Sequence, residues 1–280
     1  MQSSCLRAAA LMAVLAWCAE LAAQPSPPAD PNKIQVLIVT GRHVHYWRET
    51  TPELDRILED TEKFEVRVTE EFRGASAATL ADYDLVVMNY YDRRQLPELR
   101  LGADTERALL DFVRSGKGLV LYHLALGAFY GWDEYERMSG GNWRENQGHH
   151  SPRHDFDVQI VDTTHPITRG LKTPFRVVND ELYANLRWQP EGSYQVLASA
   201  WDDHSLYDPE RVRQPIPGAG RDQAILWTTS YGQGRVFVTT LGHDAENVRS
   251  LPFAVTFARG AEWAATGAVT LPIPAAMAAD

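Results

Sequence analysis

Three short apolar runs set between amphipathic stretches constrain this chain more than any other feature. They are Ile34-Gln35-Val36-Leu37-Ile38-Val39-Thr40, Leu85-Val86-Val87-Met88 and Leu119-Val120-Leu121-Tyr122. Runs this short and this apolar suit strands buried on both faces, as in a parallel sheet covered by helices. The stretches between them supply those helices. Residues 47–61 place Leu54, Ile57 and Leu58 on one face, with Pro52 assigned to the first turn. Residues 105–115 carry Leu109, Leu110, Phe112 and Val113 inward and close on Gly116. Phe64 to Thr69 alternates as a further strand. Strand, helix, strand, helix, strand is the order of a doubly wound α/β sheet.

Beyond residue 130 the regularity weakens. Gly140-Gly141-Asn142-Trp143 and Gly148-His149-His150-Ser151-Pro152 are expected to be loops. Residues 156–161, 194–200, 224–229 and 235–240 read as strands, with Tyr231-Gly232-Gln233-Gly234 as a hairpin turn. Residues 250–266 read as a last helix. There is no internal repeat, so residues 33–280 are expected to be one domain.

The first 32 residues differ in composition from the rest. Arg7 precedes an apolar stretch, residues 8–19, that is shorter than the roughly 20 residues a spanning helix needs. Leu21 and Ala23 fall three and one positions before a cleavage site, so residues 1–23 read as a secretory signal. Residues 24–32, with Pro25-Ser26-Pro27-Pro28, read as a linker. Both cysteines, Cys5 and Cys18, lie in the signal. The mature chain is then thiol-free, suited to a periplasmic or secreted life, and has no membrane span once the signal is cut. The net charge of −10, with no Lys/Arg block, argues against a nucleic-acid partner.

Nine histidines remain to be explained, and several follow strands. His43 and His45 come after the first run, His123 directly after the run ending at Tyr122, and His243 after residues 235–240. In open α/β sheets ligands bind beyond the carboxyl ends of the strands. Histidine is a common metal ligand and proton carrier near neutral pH. Glu181, in the pair Asp180-Glu181, is a further ligand or base. Asp180 reads as a helix N-cap, because adjacent side chains on an extended segment point apart. His45, His123, Glu181 and His243 are therefore the expected ligands of a divalent metal, with zinc the best match. His123, Glu181 and His243 are the expected catalytic groups. Asp244 or Glu246 is expected to orient His243. His149 is a weaker candidate. His150 and His154, with Trp143 and Tyr183, are expected to contact substrate; Tyr130 and Trp132 lie in nearby loops. His165, before Pro166, reads as a structural turn residue and His204 as a surface one.

The glycine turn, buried strand and polar residue of Gly116 to His123 resemble the nucleophile strand of class I glutamine amidotransferases. His123 stands at the nucleophile position, so thioester chemistry has no thiol to use. Further segments are Gly41-Arg42-His43-Val44-His45-Tyr46-Trp47, Tyr83-Asp84-Leu85-Val86-Val87, His165-Pro166-Ile167-Thr168-Arg169-Gly170-Leu171, Asp180-Glu181-Leu182-Tyr183, Gly234 to Asp244, and Arg259 to Gly267. Together, in this order, they resemble the ThuA-like (trehalose utilisation) family of the amidotransferase-like superfamily. Family members often carry Asp where this chain has Tyr46. The resemblance implies a flavodoxin-like or amidotransferase-like α/β fold, a mostly parallel sheet flanked by helices. It also implies a part in carbohydrate use. The combined expectation is an exported, metal-assisted lyase, isomerase or hydrolase acting on a small sugar or oxidised sugar. The alternative is a non-catalytic periplasmic protein whose histidines hydrogen-bond sugar hydroxyls. No carboxylate pair of glycosidase type is evident.

Overall fold

The computed structural model describes residues 30–42, 44–92, 100–208, 210 and 216–279. The expected signal, the linker up to residue 29 and His43 lie outside them. The chain from Pro31 forms one unit.

The elements follow in chain order as β1 (Ile34–Val39), α1 (Trp47–Glu59), β2 (Phe64–Thr69), α2 (Ala77–Leu80), β3 (Leu85–Met88), α3 (Ala103–Arg114), β4 (Gly118–Tyr122), α4 (Asp133–Ser139), β5 (Gly141–Asn142), β6 (His149–His150), β7 (His154–Ile160), β8 (Phe175–Asp180), β9 (Tyr183–Ala184), β10 (Arg187–Trp188), β11 (Tyr194–Asp202), β12 (Arg221–Tyr231), β13 (Gly234–Thr239), α5 (Ala245–Arg249) and α6 (Leu251–Thr266). Nine strands form one sheet in the order β2-β1-β3-β4-β13-β12-β11-β7-β8. The five from β2 to β13 run parallel. The remaining pairings, β13–β12, β12–β11, β11–β7 and β7–β8, are antiparallel.

That parity positions the site. Four successive reversals restore the direction of β13 in β8. The carboxyl ends of β1, β4, β13 and β8 therefore all open on the same edge of the sheet. β8 was not recognised in the sequence. Its exposed Arg176, Val178 and Asn179 interrupt the apolar pattern, because it is the edge strand and only one face is covered.

The parallel strands alternate strictly between two cores. Val36, Ile38, Val87, Val120 and Phe237 pack with Leu54 and Leu58 of α1 and Phe253 and Phe257 of α6. Leu37, Val39, Val86, Leu119, Leu121 and Val238 pack with Leu109, Phe112 and Val113 of α3 and Tyr135 and Met138 of α4. Each strand side chain just named is within a few per cent of full burial, which is why the runs read as continuously apolar.

Three local expectations need correction. Pro52 lies in the second turn of α1, at an exposed position where water can serve the carbonyl its missing N–H leaves unbonded. The glycine-rich 140–143 segment is not wholly loop: Gly141–Asn142 pairs with Arg187–Trp188. Nor is the 148–152 segment, where His149–His150 pairs with Tyr183–Ala184. Two-residue strands carry no periodicity to detect. The Gly232-Gln233 turn between β12 and β13 forms as expected, closing on the Tyr231–Gly234 pair. No described helix is long and apolar enough to cross a membrane.

Candidate functional site

His45, His123, Glu181 and His243 converge at the shared edge, each offering one ligand atom, all within 4.8 Å of one another. His45 arrives on the loop between β1 and α1, where its carbonyl accepts the amide of buried Trp47 at 2.8 Å. Its ring faces those of His243 (centroids 4.3 Å apart) and His123 (5.0 Å).

His123 directly follows the fully buried β4 and has φ +51°, the left-handed region that costs a non-glycine residue strain. This sharp turn throws the ring over the strand end. Nδ1 lies 2.6 Å from the Thr240 carbonyl, which can only accept, so Nδ1 carries the proton. Nε2 therefore presents its lone pair to the cluster, where the Tyr183 hydroxyl donates to it at 3.0 Å.

Glu181 follows β8 and is 5% exposed. One oxygen lies 3.0 Å from His243 Nδ1 and 3.6 Å from His123 Nε2; the other is 3.4 Å from His150 Nδ1. Burial pushes its carboxyl up, but the surrounding His123, His243 and His150 rings outweigh burial and hold it below the usual carboxylate range. His45 is driven the other way. Burial first, then the neighbouring His123 and His243, lower its pKa to about 3. His243 Nδ1 is shut off from water yet makes no hydrogen bond, since its short approach to Glu181 is not aligned as one. Three imidazoles and one carboxylate, with a buried nitrogen left unserved, match the donor set of a zinc-type site.

Above the cluster opens a cavity of about 480 Å³, within the range of small-ligand sites. Its walls include Trp143, Tyr91, Tyr183, Leu124 and Val44, and His150 stands at its side. A larger hollow of about 660 Å³ lies by the β12–β13 turn. It opens on the opposite edge of the sheet and its lining holds no histidine or carboxylate, so the smaller cavity is the chemical one.

The other expected residues divide cleanly. His150, on β6, bonds the Ser151 carbonyl through Nδ1 at 2.8 Å and remains half-exposed beside Glu181. Trp143 and Tyr183 line the cavity and meet edge-to-face at 5.1 Å. His154 does not reach it: Nδ1 contacts Ser151 Oγ and the Pro152 carbonyl, and the ring packs on Phe156. His149, on the opposite side of β6 from His150, faces Asp202 at 3.6 Å. Trp132 is buried against Phe129 and Tyr135, and Tyr130 hydrogen-bonds the Glu145 amide. His165 accepts the Ile167 amide and packs on Trp263; His204 is exposed. Two roles are corrected. Asp244 does not orient His243; it caps α5 by accepting the Asn247 amide and pairs with Arg153. Asp180 caps no helix; it binds amides beside the site. Tyr91 lines the cavity without being among the expected residues, although it lies three residues past β3 and the strand-end argument applies to it equally.

Fold and site together define an α/β protein with a three-histidine, one-glutamate cluster at the carboxyl edge of its sheet. The sequence matches the ThuA family, described as trehalose utilisation, over residues 35–264, and the chain belongs to that family. The resemblance read from its motifs is thereby borne out. A solved thua-like protein from Parabacteroides merdae is 28% identical with a TM-score of 0.74, the match covering 88% of this chain and 95% of that one. Another, from Bacteroides uniformis, is 18% identical with a TM-score of 0.60, covering 88% and 98%. A β-galactosidase from Rahnella sp. R3 is 17% identical with a TM-score of 0.52, over 87% of this chain and 33% of that one. The last two share the fold alone. No curated protein matches the chain.

Proposed function

We propose that this ThuA-family chain is a metal-dependent enzyme of carbohydrate use, with His45, His123, Glu181 and His243 holding a divalent ion, zinc for preference. The observation that carries the reading is the convergence of those four ligand atoms to within 4.8 Å, from four separate places in the chain. When bound, the ion supplies Lewis acidity at a sugar carbonyl, a hydroxyl or a water. The chain's own residues do the rest. Thr240 fixes the His123 tautomer so that Nε2 is free of its proton. His45, held neutral, offers a lone pair rather than a charge. His150 touches Glu181 on one side and solvent on the other, so it can carry a proton between the cavity and bulk water. Trp143 and Tyr183 give the cavity aromatic walls that suit the C–H face of a sugar ring. Proton transfer beside a polarised sugar oxygen is the step common to lyase, isomerase and hydrolase chemistry, and these residues equip it.

Elemental analysis tests the ion. Protein purified without chelator or affinity tag is expected to carry about one zinc per chain. A His123→Ala chain that is folded and retains the same metal content would defeat the reading. Export, with removal of residues 1–23, is part of the same proposal. It rests on Arg7, the short apolar stretch and the Pro-rich linker. Intact mass of the protein recovered from the periplasm or medium decides it, a chain still carrying Met1 to Ala23 being the contrary result.

A further inference from the structure

Asp180 ends β8 and is 1% exposed. Its Oδ1 accepts the amides of Glu181 at 2.8 Å and His243 at 3.1 Å, and its Oδ2 accepts the Gly242 amide at 2.8 Å. Two of the three amides belong to residues of the His/Glu cluster. We propose that Asp180 is a positioning residue: it locks the end of β8 to the turn after β13 and thereby sets the spacing of Glu181 and His243. The proposal rests on the ion-binding reading above in what it says of metal affinity.

The turn it grips has little freedom elsewhere. Gly242 has φ +99°, and a Cβ there would lie 2.7 Å from Phe253 Cε2 and 2.8 Å from Tyr122 Cε2. Its carbonyl accepts the Tyr122 hydroxyl. The peptide is thus held from below by tyrosine and from the side by Asp180. Glu181 and His243 are 62 residues apart in sequence, and their side chains meet through the 3.0 Å approach of Glu181 Oε2 to His243 Nδ1. The common carboxylate fixes both backbones at once. Hydrogen bonds to groups outside a metal's own ligands commonly change affinity by 10–100-fold.

A purely structural role has a built-in control. Glu262, on α6, is also a buried carboxylate with three donors: the Thr270 and Leu271 amides at 2.9 Å each and the Thr270 hydroxyl at 2.6 Å. It packs against the C-terminal segment and pairs with Lys63 at 3.4 Å, outside the His/Glu cluster. Asp180→Asn, Asp180→Ala and Glu262→Gln are compared with the unaltered chain. Zinc affinity is read by competition with a chromophoric chelator, and amide exchange is read at residues 181, 242 and 243. Zinc binding is expected to weaken about 10–100-fold in Asp180→Asn and to stay within about twofold in Glu262→Gln, whatever melting temperature each loses. Exchange at 242 and 243 is expected to quicken in Asp180→Asn while β4 stays protected. If Asp180→Ala does not fold, Asp180→Asn decides, since it keeps the volume and one oxygen. Unchanged affinity in Asp180→Asn, or an equal loss in Glu262→Gln, overturns the proposal. A wild-type chain that binds no zinc sinks the ion reading alone; the exchange measurement still decides the positioning, unchanged rates at 242 and 243 refuting it.

Discussion

Glu136 and Glu181 are both buried carboxylates flanked by nitrogen bases, but one belongs to a closed cluster and the other to an open one. Glu136, 4% exposed, is met by Arg144 Nε at 2.6 Å and by Arg187. Arg144 spends its remaining donors on the Leu126, Trp143 and Ala128 carbonyls and on Asn142 Oδ1. Those bonds tie α4, the turn after β4 and β5 into one piece. Around Glu181 the bases are imidazoles, His45 is held neutral, and His243 Nδ1 is buried without a hydrogen bond. Complete satisfaction marks a charge used for architecture, whereas convergent, incompletely served donors mark one kept for a ligand.

The largest expected difference is in stability. Arg144→Met should cost about 3 kcal/mol, because removing one partner of a buried pair strands the other. Glu181→Gln keeps the volume and should change the metal-free chain by no more than about 1 kcal/mol. Urea unfolding of both in chelator measures this. Equal losses would mean that Glu181 is as architectural as Glu136.

Zinc should separate the clusters next. At roughly a hundredfold over its Kd, zinc should stabilise the unaltered chain by about 2.7 kcal/mol. Arg144→Met and His154→Ala should keep that increment, and His123→Ala should lose it. A His154→Ala chain that also loses it would place His154 among the ligands, against its contacts with Ser151 and Phe156.

Acid separates the clusters by slope. Unfolded, His45 takes up a proton near its ordinary pKa of about 6.5; folded, it does so only at about 3, chiefly because it is buried. The unfolded state therefore binds more protons between those values. This contribution to stability is complete above pH 6.5 and is lost as pH falls toward 3. Glu181, with its depressed carboxyl, adds a loss in the same direction below the usual carboxylate range. In chelator, the fall in stability from pH 7 to 4.5 should be shallower for His45→Gln by up to about one proton. Parallel curves would show that His45 is not held neutral by the cluster.

Much of this was legible beforehand, for identifiable reasons. β1, β3 and β4 were plain because their residues are buried on both faces, so the apolar run is unbroken. His45, His123 and His243 were found by the strand-end argument, which holds because parallel strands share a carboxyl edge. Glu181 is legible as a candidate carboxylate, but the strand that carries it is not. β8 escaped notice because an edge strand shows one apolar face, and here Val178 and Asn179 break even that alternation. His150 and His154 looked equivalent. Pairing of His150 with Tyr183 turns one toward Glu181, and the contacts of the other with Ser151 and Pro152 hold it away. Asp180 was misjudged because its partners, the amides of Gly242 and His243, are more than sixty residues distant.

The sequence alone determined the local states of the regular elements: the strands buried on both faces, the apolar faces of the helices, and that the family is ThuA. These follow from the alternation of side chains along the backbone and from the order of motifs. Only the tertiary structure decided convergence. Whether β8 ends beside β4 or at the far edge depends on the number of antiparallel reversals between β13 and β8, and that is a property of strand pairing, not of any segment. Four reversals turn the end of β8 to the histidines' edge of the sheet, and the bonds of Asp180 to the Gly242 and His243 amides hold it beside them. Three would have sent it to the opposite edge of the sheet.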